Sequence, residues 1–135
     1  MAIFLSNDVQ VTLNAVDLTD HCTSASISRV FDELEVTAMG DTSHVFVKGL
    51  EASTITLDFL NDTATSNVLQ TLQAAWGTTV ALTLKQTSGA TSATNPLYST
   101  TVLVNNTTDI NGAVGDISTQ SITFTCNSVI VITTS

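Results

Sequence analysis

Positive charge is nearly absent from this chain. Arg29, Lys48 and Lys85 are its whole complement of Lys and Arg, against twelve Asp and Glu, for a formal net charge of −9 over 135 residues. A protein that grips nucleic acid needs a basic patch to displace counterions from phosphates, so that class is excluded. A wall past which nucleic acid slides without sticking is not excluded, because like charge keeps the backbone from adsorbing. Charge of either sign is scarce, at 11% of residues against about a quarter in ordinary soluble domains. Thr, Ser and Asn fill the gap. Since charge maintains solubility, and interface cores are depleted in it, such a surface fits a protein buried in contacts with other proteins. The alternative is a Thr-rich β domain that uses hydroxyls on its solvent face.

Cysteine, aromatic residues and long apolar runs are also in short supply. Cys22 and Cys126 match no metal-site or redox spacing, and both read as buried, reduced thiols acting as small hydrophobes. The opening MAIFLSND has no basic stretch and turns polar after four apolar residues, so it does not read as a signal peptide. No apolar run approaches the roughly 20 residues of a membrane-spanning helix. Length and the lack of a linker or internal repeat predict one domain, 1–135, with one core.

What the chain has in abundance is period-2 alternation, the mark of strands buried on one side. Val9, Val11 and Leu13 alternate with Gln10 and Thr12, and a turn at Asn14–Asp17 follows. Ala25 and Ile27 alternate with serines. Leu34, Val36 and Ala38 alternate with Glu33, Glu35 and Thr37, and Ile55, Leu57 and Phe59 with Thr54, Thr56 and Asp58. Between the last two lies Met39–Gly49, too long for a tight hairpin. Connections of that length are usually functional or disordered, and this one carries Val45, Phe46 and Val47, which a neighbouring copy of the chain would cover. Further strands are predicted at Val80–Leu84, Leu97–Val104 and Ile117–Cys126, the last two joined around an Asn111-Gly112 turn. Val129–Ile132 reads as an edge strand. One helix is predicted over Thr65–Trp76, capped by Thr63 or Thr65 and ended by Gly77. Its stripe Val68, Leu69, Leu72, Ala75 and Trp76 faces a sheet, with Trp76 as a packing anchor. Thr87–Pro96 reads as a mobile loop. The expected fold is mainly β: a sandwich or partly closed barrel of about seven strands, with one flanking helix and a long inter-strand loop.

No grouping suggests catalysis, a cofactor or a metal. Glu33 and Glu35 sit on the polar face of a strand rather than in a concave site that would split their pKa values. Asp58, Asn61 and Asp62 lack the spacing of a calcium loop and read as a strand end and turn. His21 and His44 have no partner nearby in sequence, and there is no G-x-S-x-G elbow. The glycines sit at turns or caps and form no phosphate-cradling loop.

The order strand–turn–strand (QVTLNAVDLTDHCTSASISRVFDELEVTAMGD), polar loop (TSHVFVKGLE), strand (STITLDFLND), helix (ATSNVLQTLQAAWG) and late strands resembles the tail tube, or major tail, proteins of long-tailed bacteriophages. The most telling segment is EVTAMGDTSHVFVKGLEASTITLDFLND; Ala15, in a turn where such sequences often place Gly, departs from the pattern. The resemblance implies a structural, non-enzymatic virion protein without cofactors. Hexameric rings would stack into a tube whose channel passes DNA without binding it specifically. The implied partners are other copies of the chain and the terminator, tape-measure and tail-tip proteins. Under this resemblance, Val45, Phe46, Val47 and Leu50 form the apolar part of the inter-subunit contact, and Lys48 and Glu51 its charged rim. Glu33, Glu35 and Asp58 are the channel-lining candidates. The competing readings are a tail terminator, a tail-tip ring or a capsid decoration protein of related fold. More distant ones are a carbohydrate-binding β-sandwich, which would need an export signal and exposed aromatics, and an enzyme.

Overall fold

The computed structural model describes residues 8–65 and 67–135; the chain's first seven residues, including most of the MAIFLSND segment, lie outside them. The alternating segments become strands in chain order: β1 Gln10–Leu13, β2 Val16–Asp17, β3 Cys22–Ser28, β4 Phe31–Glu35, β5 Phe46–Glu51, β6 Thr54–Leu60, β7 Thr79–Lys85, β8 Leu97–Leu103, β9 Thr119–Thr125 and β10 Val131–Thr133, with helix α1 Val68–Ala75 between β6 and β7. They form a five-stranded sheet in the order β10-β8-β7-β1-β2, a three-stranded sheet β3-β6-β9 and a two-stranded ribbon β4-β5. The architecture is mainly β with one helix, as expected, but the sheets do not close into a barrel. Beyond the core they share, the two larger sheets are joined by a bridge between Val102 and Cys126.

The inward faces are those the alternation marks. Val11 and Leu13, Ile55, Leu57 and Phe59, Leu82 and Leu84, and Ile122 and Phe124 are buried in one shared core. Helix α1 adds Val68, Leu72 and Ala75 to it. Its start departs from expectation. Asn67 occupies the N-cap position with no side-chain cap bond, while Asp62, upstream, accepts from Ala64 N–H at 2.8 Å. Trp76 is a correction. It is 61% exposed, standing just past the last helical residue, Ala75. Gly77 stands at φ +80 and ends the helix as predicted.

Other connections also differ. β8 and β9 belong to different sheets, so the segment between them crosses the sandwich instead of closing a late hairpin. Its turn falls at Ala113–Asp116, around Gly115 at φ +87, rather than at Asn111-Gly112. The loop 87–96 is pinned by buried Asn95. Its Nδ2 donates to Gly89 O at 3.0 Å and its Oδ1 accepts from Thr87 N–H at 3.2 Å. Cys22 and Cys126 are free and half-buried against the core, and burial pushes both thiols up from their ordinary range.

The β1–β2 turn explains the departure at Ala15. Leu13 pairs with Val16, leaving Asn14 and Ala15 as a two-residue loop with φ of 51° and 65°. A primed turn needs φ > 0 at both positions, which asparagine tolerates and alanine does not. Ala15→Gly is therefore expected to raise stability by about 1 kcal/mol, read as a higher denaturation midpoint at unchanged m-value.

Candidate functional site

The region expected to be a loop is half strand. β5 begins at Phe46 and pairs antiparallel with β4, which ends at Glu35, so the connection between them runs over residues 36–45 instead of 39–49. Directly opposed residues share a face of a ribbon. The register sets Leu34 opposite Val47 and Glu35 opposite Phe46, and Val36 N–H donates to Val45 O at 2.8 Å. One face is therefore apolar, with Leu34, Val36, Val45 and Val47. The other carries Glu33, Lys48, Glu35 and Phe46.

The alternation of Leu34 and Val36 had suggested a strand half-buried in its own fold, and here the structure corrects the sequence. These four apolar side chains are 52%, 49%, 40% and 46% exposed, in the order Leu34, Val36, Val45, Val47. β4 and β5 make their substantive contacts with each other and with no other strand or helix. The alternation is real, but among the described residues nothing covers the face it creates. Met39 and Leu50 are more exposed still.

The ribbon is nevertheless built as a defined object. At its base Ala52 N–H donates to Val30 O at 2.6 Å and Val30 N–H to Ser53 Oγ at 3.3 Å. Glu51 is committed to its own chain. Its carboxylate accepts from Ile130 N–H at 2.9 Å, tying the ribbon to the segment before β10. That backbone bond, with smaller contributions from Ser53, Arg29 and Lys48, holds Glu51 below its ordinary pKa. Lys48 Nζ lies 5.6 Å above the Phe31 ring, a cation–π contact. Nearer the tip His44 Nδ1 pairs with Glu35, which also accepts from Thr37 Oγ1 at 2.9 Å. Sequence separation hid the His44–Glu35 pairing, which the ribbon's register creates.

The channel-lining candidates separate. Glu33 and Glu35 lie on the ribbon. Asp58 lies on the outer face of β6, between Ser24 of β3 and Ser121 of β9. That face is a field of hydroxyls, with Thr56 and Thr123 hydrogen-bonded across it at 3.1 Å. Asp58 Oδ1 is buried there without a hydrogen-bond partner. Asn61 and Asp62 are engaged elsewhere. Gln120 Nε2 donates to Asn61 Oδ1 at 2.7 Å, and His21 Nε2–H donates to Asp62 Oδ2 at 2.8 Å. The 41-residue separation of that second pair left it invisible in the sequence. Among the described residues no three His, Cys, Asp or Glu side chains gather as a metal ion would require, and no helix is long and apolar enough to cross a membrane.

No protein-family model matches this chain, and no curated protein matches it in sequence.

Two predictions follow from this geometry. Gly49 lies in the bulge of β5, where Gly49 and Leu50 together face Asp32 of β4, and an added Cβ would fall 2.8 Å from Asp32 O and 3.2 Å from Leu34 Cγ. Gly49→Ala should unpair the ribbon and leave the sandwich intact: amide exchange protection disappears across 31–51 and persists in β6 and β9. The second concerns Asp62, whose pKa is lowered from 3.8 mainly by the Ala64 N–H bond and then by His21. A depressed carboxylate contributes stability above its unfolded pKa and loses it as pH falls through the folded value. The stability gap between wild type and Asp62→Asn should therefore be constant near neutrality and close below about pH 4, measured by denaturant titration across pH.

Proposed function

We propose that this chain is a structural subunit that assembles with copies of itself, as hexameric rings stacked into the tail tube of a long-tailed bacteriophage, with a central channel that passes DNA toward the host. The observation that carries the reading is the apolar face of the β4-β5 ribbon, built by strict alternation and left uncovered among the described residues. Exposed apolar patches rimmed by polar residues mark association surfaces. A ribbon that projects from one place and meets a different surface on the next copy makes a heterologous contact, and such contacts build rings and open stacks.

The composition supports the same reading. Few charges suit a surface spent on contacts, and a net charge of −9 suits a channel from which DNA must leave. Asp58 is better placed than Glu33 or Glu35 to face a lumen, since the latter two sit on the ribbon that makes the contact. The terminator, tape-measure and tail-tip proteins would meet the ends and interior of such a tube. A terminator, tail-tip ring or decoration protein could use the same ribbon, but only a tube subunit stacks without limit.

Negative-stain electron microscopy across a concentration series tests the proposal. Hollow tubes or stacked six-fold rings are expected, and Val45→Asp with Val47→Asp should abolish them while the melting temperature stays within a few degrees. Rings that never stack would point to a terminator or tip ring. A monomer at every concentration that binds capsids lacking decoration would replace the tube with a decoration role.

A further inference from the structure

An open cleft of about 370 Å³ lies where edge strand β3 faces the Lys85 end of β7 and the start of β8. Its apolar lining comes from Val9, Ile27, Leu84 and Tyr98, and Arg29 and Lys85 stand in its walls. Two of the chain's three Lys and Arg residues thus occupy one cleft, on a molecule of net charge −9. The ribbon has the opposite character. It presents the apolar face Leu34, Val36, Val45 and Val47, with Asp32 in line with Leu34 at its base, Asp41 in its connection, and Glu33 and Glu35 on the opposite face. It leaves the body directly after Arg29 and makes no substantive contact with β3, β7 or β8, so among the described residues the ribbon does not fill the cleft of its own chain.

We propose that this cleft is the receptor for the β4-β5 ribbon of a second copy. The inference rests on the assembly reading above and deepens it by naming the surface the ribbon meets. Two acidic copies repel unless their contact brings unlike charges together, and Arg29 and Lys85 are the positive pair that the ribbon's carboxylates can reach in another molecule. Apolar ribbon side chains over Val9, Ile27, Leu84 and Tyr98 supply the attraction, and the acid–base rim supplies register and selectivity. Because donor and acceptor are different surfaces, each copy both gives a ribbon and receives one.

A mixing experiment decides it. One variant, Val45→Asp with Val47→Asp, loses the ribbon face and keeps the cleft. The other, Arg29→Glu with Lys85→Glu, loses the basic walls and keeps the ribbon. Circular dichroism melting confirms that each is folded. Sedimentation velocity at high protein concentration should show each variant alone as a monomer and their mixture as a complex of two copies that grows no further. The affinity of that complex should fall about tenfold or more between about 0.05 and 0.5 M salt. A third variant that reverses both sides, Arg29→Glu and Lys85→Glu with Asp32→Lys and Asp41→Lys, should recover self-association. If the wild type assembles while the mixture stays monomeric, the ribbon docks elsewhere: the cleft is overturned and the assembly reading stands. If the mixture pairs but the wild type closes into small rings that never stack, the cleft stands and the tube reading fails. Monomers throughout overturn both.

Discussion

Two sheets of unequal width must bury one face each against the other, and the body of the molecule is arranged around that mismatch. Strands lie about 4.8 Å apart, so a three-stranded sheet falls about 10 Å short of covering a five-stranded one. That shortfall is close to the diameter of one helix, and α1 joins the core with Val68, Leu72 and Ala75 fully inside. The helix is short and lacks a side-chain cap, so packing rather than propensity holds it. Phe59 and Phe124, on adjacent strands β6 and β9, are the largest side chains in this core.

The ribbon is what that arrangement leaves out. β4 and β6 carry the same alternation, yet β6 is buried on its apolar face and β4 is not. β6 has β3 and β9 as neighbours and a sheet opposite; β4 has only β5. An isolated two-stranded hairpin is marginal in water, so this one relies on the tie from Glu51 to Ile130, the Lys48–Phe31 contact and the His44–Glu35 pair. Covering four half-exposed aliphatic side chains would contribute about 1 kcal/mol each. Association costs at least about 4 kcal/mol in lost freedom. A single ribbon contact is therefore weak, enough to pair two copies at high protein concentration, and under the proposed reading closure and stacking, which engage several contacts per copy, make the assembly stable while the subunit stays unassembled when dilute.

Much of this was legible in the sequence, because inward and outward positions on a strand follow from period 2 alone. Val11 and Leu13, Ile55 to Phe59, Leu82 and Leu84, and Ile122 and Phe124 all lie where alternation puts them. Alternation says that a face is apolar; it does not say which chain covers it, and that is why the pattern alone buries Leu34 and Val36 while the fold leaves them half-exposed. β5 reads as loop in the sequence because Lys48 and Gly49 interrupt its pattern, although Gly49 is the residue that lets β4 approach. β2, two residues long, gives no periodic signal. His21 with Asp62 and Glu51 with Ile130 join residues far apart in sequence, and only the tertiary arrangement brings them together.

The scarcity of charge bears on assembly as well as on solubility. At about 0.1 M salt, charges more than about 10 Å apart scarcely interact. The net charge of −9 then acts as a diffuse repulsion, and under the proposed reading the few charges at the contact decide which surfaces meet. A chain with many scattered lysines would offer the acidic ribbon many wrong partners. With Lys48 on the ribbon itself and Arg29 and Lys85 together in one cleft, the positive charge outside the ribbon lies in one place. Like-charge repulsion everywhere else then works against misassembly, so the same imbalance that would keep DNA from adhering also narrows the ways in which two copies can join.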